Sequence, residues 1–454
     1  MSATSAPAPV VIEAPPARRL GGELRLPGDK SISHRALMLA LLARGESVIT
    51  GAGDGADVRS TAGIVAALGA EVERAPGTGG NVNYRIASDG ADALRTPADT
   101  LDCGNSGTSL RLCAGILAGL PLRAVLDGDE SLRGRPMARV IDPLRAMGAT
   151  IEGARGDAFP PLTVTGRSPL HAIDWATPVP SAQVKSAILL AGLRAGGTTT
   201  VRESLATRDH TERMLRARSV KVRTSSEADG GRVIKIEGGA AVQPRDEQVP
   251  GDASAAAFWL VAGAIHPHAD LLLRGVGVNA TRRAIVDLLR LMGASIEETP
   301  SGPSVAGALD GVGEPVADLR ICSSDLAAIE LDAANTASAI DEIPILSLAA
   351  TQARGRTVIR GAGELRHKES DRIAGIVRGL GALGARIESI GDDLVIDGPT
   401  PLRGGLVDSL GDHRLALTFA IAGLIADGRT TIAGADSVAV SYPSFFADLE
   451  RIRS

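Results

Sequence analysis

The sequence has 454 residues, which is too long for one small hydrophobic core and predicts at least two domains. Its net charge of -5 and aromatic content of 2% argue against a nucleic-acid surface, which needs basic patches and stacking side chains. Hydrophobic residues make up 44% of the chain, but no uninterrupted apolar run reaches about eighteen residues, so we expect a globular protein without a membrane partner.

The N-terminal residues and the cysteines indicate the cellular compartment of the protein. Residues 1–19 are rich in Ala and Pro and lack the apolar segment of a signal peptide, so we predict a disordered tail. Cys103, Cys113 and Cys322 form neither a CxxC pair nor a metal-ligand spacing. This usage is typical of a reduced, cytoplasmic protein and predicts no metal site.

The first long apolar helix is introduced by the motif PGDKSISHR, residues 27–35. Asp29 and the two serines are cap-type residues, and the apolar run at 36–42 indicates a buried helix behind them. Lys30, Arg35, two hydroxyls and free backbone N–H groups therefore gather at one helix N-terminus, which favours an anion such as phosphate. An ordinary capped helix with solvated basic side chains is the alternative for this stretch taken alone.

One order of elements then returns along the chain: a polar loop, an Ala/Leu-rich helix, a β-branched strand, an amphipathic helix, and a strand that opens with Gly-Ala. The loops recur about every 70–90 residues, at 27–35, 103–111, 181–186, 250–254, 340–344 and 411–414. The Gly-Ala pair recurs at 69–70, 148–149, 293–294 and 384–385 and is missing near 220–222. We interpret this as duplication, although alternating helices and strands are common to all α/β proteins.

The repeats predict an α/β fold of two similar domains, each with three repeats. Helices almost without polar residues should lie inside each domain, and the amphipathic ones outside. Inner helices that all start from polar loops would focus positive potential on one face, so two opposed faces would form a cleft for an anionic small molecule. The Pro-Gly-Asp turns predict crossings near 28 and 250, with one domain at 20–28 plus 250–454 and the other at 29–249.

Basic residues recur in the loops, together with two carboxylates. The basic positions are Lys30, Arg35, Arg111, Arg133, Arg135, Arg208, Arg366, Lys368, Arg372 and Arg414. Asp341 could cap a helix and Glu369 could pair with Arg372, or both could transfer protons, and the sequence leaves these alternatives open. The chain has no P-loop, HExxH or GxSxG motif, so we predict neither a nucleotide cofactor nor a catalytic metal.

Taken together, six motifs resemble the 5-enolpyruvylshikimate-3-phosphate synthase family from about residue 20 to the C-terminus. They are GDKSISHR at 28–35, GNSGT at 104–108, RP at 135–136, SAQ at 181–183, KESDR at 368–372 and DHR at 412–414. The resemblance implies two domains of three βαβαββ units each, an inside-out α/β barrel, in a monomer without a cofactor. It also implies transfer of the enolpyruvyl group of phosphoenolpyruvate to the 5-hydroxyl of shikimate 3-phosphate, with release of phosphate through a tetrahedral intermediate.

Matching positions supply the site residues that the resemblance implies. Shikimate 3-phosphate would contact Lys30, Ser31, Arg35, Ser181, Ala182, Gln183, Arg208, Asp341 and Lys368. Phosphoenolpyruvate would contact Lys30, Gly107, Arg135, Gln183, Arg372 and Arg414. Asp341 would accept the proton of the 5-hydroxyl, and Glu369 with Lys368 or Lys30 would take part in protonating the methylene carbon.

The chain also departs from the best-known pattern of the family. Residues 181–185, 208–212 and 279–282 resemble a subclass associated with herbicide tolerance, yet Gly107 is kept where a tolerant member carries Ala. We therefore expect glyphosate to compete with phosphoenolpyruvate. Many relatives have a Lys contacting phosphoenolpyruvate where this chain has Val440, so Arg372 and Arg414 would have to suffice.

Two alternatives to this function remain. The sister enolpyruvyl transferase that acts on UDP-N-acetylglucosamine shares the fold and the donor but uses a loop cysteine, and the loop at 128–135 contains none. A non-catalytic anion-binding protein on the same fold would be expected to lose Asp341, Glu369 or the arginines, and all are present.

Overall fold

The computed structural model describes residues 11–227, 230–301 and 312–453. The chain divides into two units. The inserted unit comprises the described residues of Pro27–Pro250 together with residues 312–315. The terminal unit comprises the described residues up to Leu26 and those of Gly251–Gly302 and Val316–Ser454.

Helices of the inserted unit are α1 Lys30–Leu42, α2 Ala56–Ala67, α3 Gly107–Ala118, α4 Glu130–Arg133, α5 Ala138–Ala146, α6 Ala154–Asp157, α7 Ala182–Gly192 and α8 His210–Ala217. Those of the terminal unit are α9 Ala253–Ile265, α10 Ala284–Leu291, α11 Ala333–Ser338, α12 Ile343–Gln352, α13 Arg372–Ala382, α14 His413–Gly423 and α15 Phe445–Ile452.

The strands are β1 Val11–Ala14, β2 Leu20–Arg25, β3 Arg44–Ala52, β4 Glu71–Pro76, β5 Val82–Asp89, β6 Leu101–Asp102, β7 Arg123–Asp127, β8 Thr150–Gly153, β9 Phe159–Thr165, β10 Leu170–His171, β11 Asp174–Ala176, β12 Ala195–Gly196, β13 Thr198–Glu203, β14 Val222–Ser226, β15 Arg232–Glu237 and β16 Glu247–Gln248. They continue with β17 Ala269–Gly277, β18 Ser295–Pro300, β19 Val316–Cys322, β20 Glu330–Leu331, β21 Gly355–Ile359, β22 Arg386–Ile390, β23 Asp393–Gly398, β24 Leu406–Asp408 and β25 Thr430–Ala433.

One sheet topology is repeated, as the sequence predicted. In β6-β7-β9-β8 the first two strands are parallel and the remaining neighbours antiparallel, and the same order returns in β11-β13-β15-β14 and in β20-β21-β23-β22. The parallel strands are joined through a buried helix, α3, α7 or α12. An amphipathic helix then leads to the final antiparallel pair, which completes one βαβαββ unit.

The other sheets take a strand from a distant part of the chain. In the inserted unit, β16 pairs in parallel with β3, so the end of this unit closes onto its beginning. In the terminal unit, β2 pairs in parallel with β17, and β1 pairs antiparallel with β25 beside β24. The chain therefore passes between the units while each one completes its own sheets.

Two parts of the predicted domain division need correction. The tail predicted at residues 1–19 is ordered in its second half, because Val11–Ala14 form β1, whose register pairs Val11 with Ala433. Residues 1–10 lie outside the described residues. Residues 312–315, assigned to the domain at 250–454, belong to the inserted unit because Glu314 Oε1 lies 2.8 Å from His210 Nδ1. Composition indicated neither feature, since both depend on long-range contacts.

Each unit has its own hydrophobic core, built around three helices: α1, α3 and α7 in the inserted unit, and α9, α12 and α14 in the terminal unit. In α9, for example, every residue from Ala253 to Ala264 is buried. Beyond the polar residues of their N-terminal turns, these helices are largely apolar because sheets and other helices surround them. Within the described residues, none of the helices has the length and apolarity needed to cross a membrane.

The recurring Gly-Ala pair has a local cause. Its glycines follow outer helices and have positive φ: +114° at Gly69, +101° at Gly148, +100° at Gly293 and +93° at Gly384. At the second of these, the amide of Ala149 donates to the carbonyl of Leu144 at 3.1 Å, which is a Schellman-type end. In the copy without Gly-Ala, Ser219 occupies this place with φ 64°, a conformation that L-residues adopt at a cost.

Candidate active site

The site residues of the inserted unit start at the N-terminus of α1. Asp29 caps this helix through its side chain. Lys30 Nζ lies 3.0 Å from Asp57 Oδ2, so the ammonium is held beside the first turn of α2. The carbonyl of Ser31 accepts a hydrogen bond from Arg35 Nη1 at 3.0 Å. These contacts fix two cations at the end of the helix where the dipole also favours anions.

Arg35 is buried, with 4% of its surface exposed. Its Nε donates to Thr211 Oγ1 at 2.7 Å and its Nη2 donates to Ser186 Oγ at 2.8 Å. Burial lowers the pKa of Arg35 to about 10, attraction to Glu212 opposes this, and repulsion from Arg208 adds to it. The guanidinium stays charged at neutral pH and connects α1 to α7 and α8.

Gln183 joins the N-termini of α3 and α7. Its Oε1 accepts from Arg111 Nη1 at 2.7 Å, and its Nε2 donates to Thr108 Oγ1 at 2.9 Å. Ser181 is the N-cap of α7, and Ala182 begins the helix. The predicted SAQ motif is therefore a helix start whose glutamine side chain is oriented by a neighbouring arginine.

Gly107 opens α3 between two guanidinium groups. A Cβ at this position would lie 2.5 Å from Arg111 Nη1 and 3.4 Å from Arg135 Nη1. Arg135 is oriented by Asn105, whose Oδ1 accepts from Nη2 at 2.6 Å. The lack of a side chain at Gly107 lets the Arg111 guanidinium lie close to the backbone, with that of Arg135 nearby.

A buried chain of polar groups connects α1, α2 and α3. His34 Nδ1 lies 2.6 Å from Thr61 Oγ1, which lies 2.7 Å from Ser109 Oγ. Burial lowers the pKa of His34 to about 3, so its imidazole is neutral at physiological pH. Together with the contacts of Arg35 and Gln183, this chain brings the N-terminal turns of α1, α3 and α7 to one side of the unit.

In the terminal unit, three cations surround Asp341. Its Oδ1 lies 3.7 Å from Lys368 Nζ and 3.7 Å from Arg372 Nη1, and its Oδ2 lies 3.9 Å from Arg414 Nη2. Arg414 Nη1 also donates to the carbonyl of Asp341 at 2.6 Å. Asp341 does not cap a helix, because α12 starts after Glu342. The alternative that Asp341 is a helix cap is therefore wrong.

Arg372 links the cluster around Asp341 to two more carboxylates. Its Nη2 lies 2.5 Å from Glu369 Oε2, and its Nε lies 2.7 Å from Asp412 Oδ2. Burial lowers the pKa of Arg372, but attraction to these carboxylates outweighs it, so the pKa is raised overall. The pairing of Glu369 with Arg372 does occur, and it places Glu369 at the edge of the cluster.

A second set of contacts orients Arg414. Its Nη2 donates to Ser254 Oγ at 3.4 Å, and its Nη1 lies 3.6 Å from Glu342 Oε1. Arg282 Nη2 donates to the same serine at 2.6 Å, and the serine hydroxyl donates to Glu342 Oε1 at 2.5 Å. Arg414 is thus held at the N-terminus of α9, where the second Pro-Gly-Asp turn ends.

The structure gathers the predicted residues into two clusters, one in each unit, and adds residues that the sequence did not assign. The additional residues are Asp57, Arg111, Ser186, Thr211, Arg282, Glu342 and Asp412. Arg111 was visible as a basic loop residue and Asp412 as part of a motif. No sequence signal indicated Asp57, because its contact with Lys30 depends on the packing of two helices.

These observations define a class of protein. Two α/β units of repeated parallel and antiparallel strands place basic side chains at the N-termini of inner helices, as expected of an enzyme for highly anionic small molecules. Within the described residues, no group of three or more His, Cys, Asp or Glu side chains is arranged to hold a metal ion.

Comparison with known proteins identifies the family. Residues 15–449 match EPSP synthase (3-phosphoshikimate 1-carboxyvinyltransferase). A 3-phosphoshikimate 1-carboxyvinyltransferase of Gloeobacter violaceus is 51% identical over 439 residues, 96% of this chain and 98% of the relative. One from Bacillus cereus is 46% identical over 433 residues, 95% of this chain and 97% of the relative. The chain belongs to the EPSP synthase family.

Solved structures agree with this assignment. EPSP synthase of Acinetobacter baumannii has a TM-score of 0.85 and 39% sequence identity, with 98% of each chain covered. The enolpyruvyl transferase NikO of Streptomyces tendae has a TM-score of 0.77 at 21% identity, with 98% of each chain covered, and supports the fold alone. The two-unit α/β fold predicted from the repeats is confirmed.

Proposed function

We propose that this chain transfers the enolpyruvyl group of phosphoenolpyruvate to the 5-hydroxyl of shikimate 3-phosphate and releases phosphate. Membership of the EPSP synthase family supports this reaction. The observation that carries it is the position of Asp341 among Lys368, Arg372 and Arg414, which combines a proton acceptor with cations that attract anionic reactants.

In the inserted unit, we assign the helix N-termini mainly to shikimate 3-phosphate. Ser31, Arg35, Ser181, Ala182, Gln183 and Arg208 would bind it, with Lys30 shared between the substrates. The fixed guanidinium of Arg35 supports a role in binding the phosphate group, because its hydroxyl partners orient it without neutralising its charge. Helix N-termini supply further N–H donors to the same anion.

Phosphoenolpyruvate would be held by arginines and by the space at one glycine. We assign Arg135, Arg372 and Arg414 to its carboxylate and phosphate, together with Lys30 and Gln183, and Gly107 to the room it needs. Planar guanidinium groups suit both anions, since each can donate two parallel hydrogen bonds.

The reaction consists of addition followed by elimination. As the 5-oxygen bonds to C2 of phosphoenolpyruvate, Asp341 would take the hydroxyl proton, and C3 would gain a proton with Glu369 and Lys368 or Lys30 taking part. The tetrahedral intermediate then breaks its bond from C2 to the phosphate oxygen, and C3 loses a proton. Elimination restores the carbon–carbon double bond and releases phosphate. Shikimate 3-phosphate and phosphoenolpyruvate supply every atom of the products.

The test is phosphate release by the purified full-length chain without added metal or nucleotide. We expect release only when shikimate 3-phosphate and phosphoenolpyruvate are both present. Release with UDP-N-acetylglucosamine in place of shikimate 3-phosphate would assign the chain to the sister reaction. Tight binding of shikimate 3-phosphate without turnover would indicate a binding protein and contradict the proposal.

We also propose a monomeric, cytoplasmic protein that glyphosate inhibits. The described cysteines are free thiols, as is usual for proteins of a reducing compartment. Inhibition by glyphosate is supported by the absence of a side chain at Gly107. Light scattering during size-exclusion chromatography tests the monomer, and the mass of two chains would contradict it.

A further inference from the structure

Three charged side chains lie buried together behind the N-terminus of α7. Lys185 is 1% exposed, and its Nζ lies 2.9 Å from Glu203 Oε2 and 2.8 Å from Glu212 Oε1. Burial lowers the pKa of Lys185, but attraction to the two carboxylates outweighs it and raises the pKa overall, so the ammonium stays charged. Buried ion clusters often add no stability over apolar side chains of similar volume, so folding alone does not account for this one.

The cluster joins the elements that border the Arg208 loop, which we define as residues 204–209. Lys185 lies in the first turn of α7, Glu203 ends β13 before the loop, and Glu212 lies in α8 after it. Lys185 Nζ also donates to the carbonyl of Thr207 at 3.4 Å, and the Thr207 hydroxyl donates to Glu203. The residue next to Arg208 is therefore held through both its main chain and its side chain.

The net charge of the cluster affects how strongly it attracts neighbouring guanidinium groups. Two carboxylates and one ammonium leave one net negative charge, and Glu212 attracts Arg35 while Arg208 repels it. Asp29 and Glu314 also attract Arg35, and Glu212 attracts Arg216 as well. Without Lys185, the cluster would carry two net negative charges, and Glu212 would compete more strongly with a substrate phosphate for Arg35.

We propose that Lys185 is a positioning residue for the phosphate group of shikimate 3-phosphate. It holds the Arg208 loop in place and limits the attraction that Glu212 exerts on the guanidinium of Arg35. The inference rests on the proposed function, in which Arg35 and Arg208 bind this substrate. It assigns to Lys185 an effect on the affinity for one substrate and not on the chemical step.

The first test is the variant Lys185→Met, titrated with shikimate 3-phosphate by calorimetry. We expect the Kd to rise about tenfold or more, because interactions with charged groups are strong when buried. KM for phosphoenolpyruvate at saturating shikimate 3-phosphate and kcat should stay within about twofold of the parent.

A second variant separates charge balance from damage to the fold. Lys185→Met combined with Glu212→Gln restores one net negative charge, and we expect its Kd to return to within about threefold of the parent. A purely structural role predicts the opposite, since the double variant alters the buried cluster further. Lys221→Met, at an exposed lysine of the same unit, is the control and should bind like the parent.

Thermal unfolding of each variant shows whether it is folded. If Lys185→Met does not fold, Thr207→Val replaces it, because it removes the hydroxyl bound to Glu203 and leaves the buried charges intact. We expect this variant to weaken binding of shikimate 3-phosphate about threefold at unchanged KM for phosphoenolpyruvate. Unchanged binding by Lys185→Met, or by Thr207→Val in its place, overturns the inference, as does a double variant no tighter than the single one.

Failure of this inference differs from failure of the proposed function. A parent protein that neither binds shikimate 3-phosphate nor releases phosphate with phosphoenolpyruvate overturns both. A parent that does both, beside variants that bind as it does, overturns only the role of Lys185.

Discussion

The arginines of the two clusters have different kinds of partner, although Lys30 of the inserted unit pairs with Asp57. In the inserted unit, Arg35 donates to two hydroxyls and Arg111 to an amide oxygen. In the terminal unit, Arg372 lies against Glu369 and Asp412, and Arg414 lies near Asp341 and Glu342. Neutral partners orient the first set, whereas carboxylates both orient and neutralise the second.

This difference suggests a division of labour. A guanidinium fixed by hydroxyls keeps its full charge for a substrate anion, which favours binding. A carboxylate among cations can accept a proton while its neighbours stabilise charge that develops during reaction. We therefore expect changes in the inserted unit to act mainly on affinity, and changes around Asp341 to act mainly on turnover.

The largest effect should come from Asp341→Asn, which keeps the shape of the side chain and removes the proton acceptor. We expect kcat for phosphate release to fall about a thousandfold. Binding of shikimate 3-phosphate should be retained, because the change removes a negative charge. Glu364→Gln is the control: it lies 3.1 Å from Lys368 Nζ but is exposed, so kcat should change less than about twofold. A kcat of Asp341→Asn within tenfold of the parent value would contradict the expectation that changes around Asp341 act mainly on turnover.

Arg35→Lys tests the affinity side of the comparison. A lysine cannot donate to Thr211 and Ser186 in the way the guanidinium does. We expect the Kd of shikimate 3-phosphate to rise about thirtyfold with kcat within about threefold of the parent. Arg223→Lys, at an exposed position of the same unit, should leave both values unchanged. A loss confined to kcat would contradict the assignment.

The next prediction concerns His34, in the buried chain of polar groups of the inserted unit, and its effect on stability. The folded protein holds the pKa of His34 near 3, while the unfolded chain takes up a proton near 6.5. Above pH 6.5 the fold therefore loses no stability through His34. As the pH falls toward 3, protonation of the unfolded chain lowers the free energy of unfolding, by about 2 kcal/mol at pH 5. We measure the free energy of unfolding in urea at pH 7 and at pH 5. Between these values it should fall by about 2 kcal/mol less in His34→Asn than in the parent.

The exposed His171 supplies the control for that measurement. His171→Asn should show the pH dependence of the parent. Equal losses of stability by His34→Asn and the parent would mean that His34 is not held neutral in the fold.

Gly107→Ala tests the space between the arginines of the inserted unit. The added methyl must displace Arg111, so we expect the inhibition constant of glyphosate to rise at least about tenfold, with a smaller rise in KM for phosphoenolpyruvate. Gly63→Ala is the control, because nothing lies within 4 Å of a Cβ there. Equal inhibition constants for Gly107→Ala and the parent would refute the role of this glycine.

The smallest effect concerns a feature that both units share, the left-handed residue after an outer helix. Ser219→Gly replaces the residue that holds this conformation with φ 64°. We expect the free energy of unfolding to rise by about 1 kcal/mol, measured in urea at pH 7. Gly148→Ala, with φ +101°, should lower it by a similar amount or more. Destabilisation by Ser219→Gly would show that its side chain contributes more than its backbone costs.

Much of the fold was predictable because its signals are local. Gly148 marks the end of a helix by its own φ, and Asp29 caps α1 within a single turn. Repetition of such signals is sufficient to predict repeated units. The pairing of β1 was not predictable, because its register joins Val11 to Ala433 and nothing in the local composition indicates that partner.

The candidate site divides in the same way. The motifs placed Lys30 and Arg414 at helix N-termini, where the structure has them. The residues that orient these side chains were missed, as with Asp57 beside Lys30 and Glu342 beside Arg414. Such contacts depend on how separate elements pack, and no fixed spacing in the sequence indicates them.

The most direct test of the division of labour is to measure binding of shikimate 3-phosphate and phosphate release side by side on Arg35→Lys and Asp341→Asn. We predict that Arg35→Lys binds weakly but turns over at saturating substrate, whereas Asp341→Asn binds well and releases almost no phosphate. Parallel losses of affinity and turnover in both variants would contradict it, because the two clusters would then act as one.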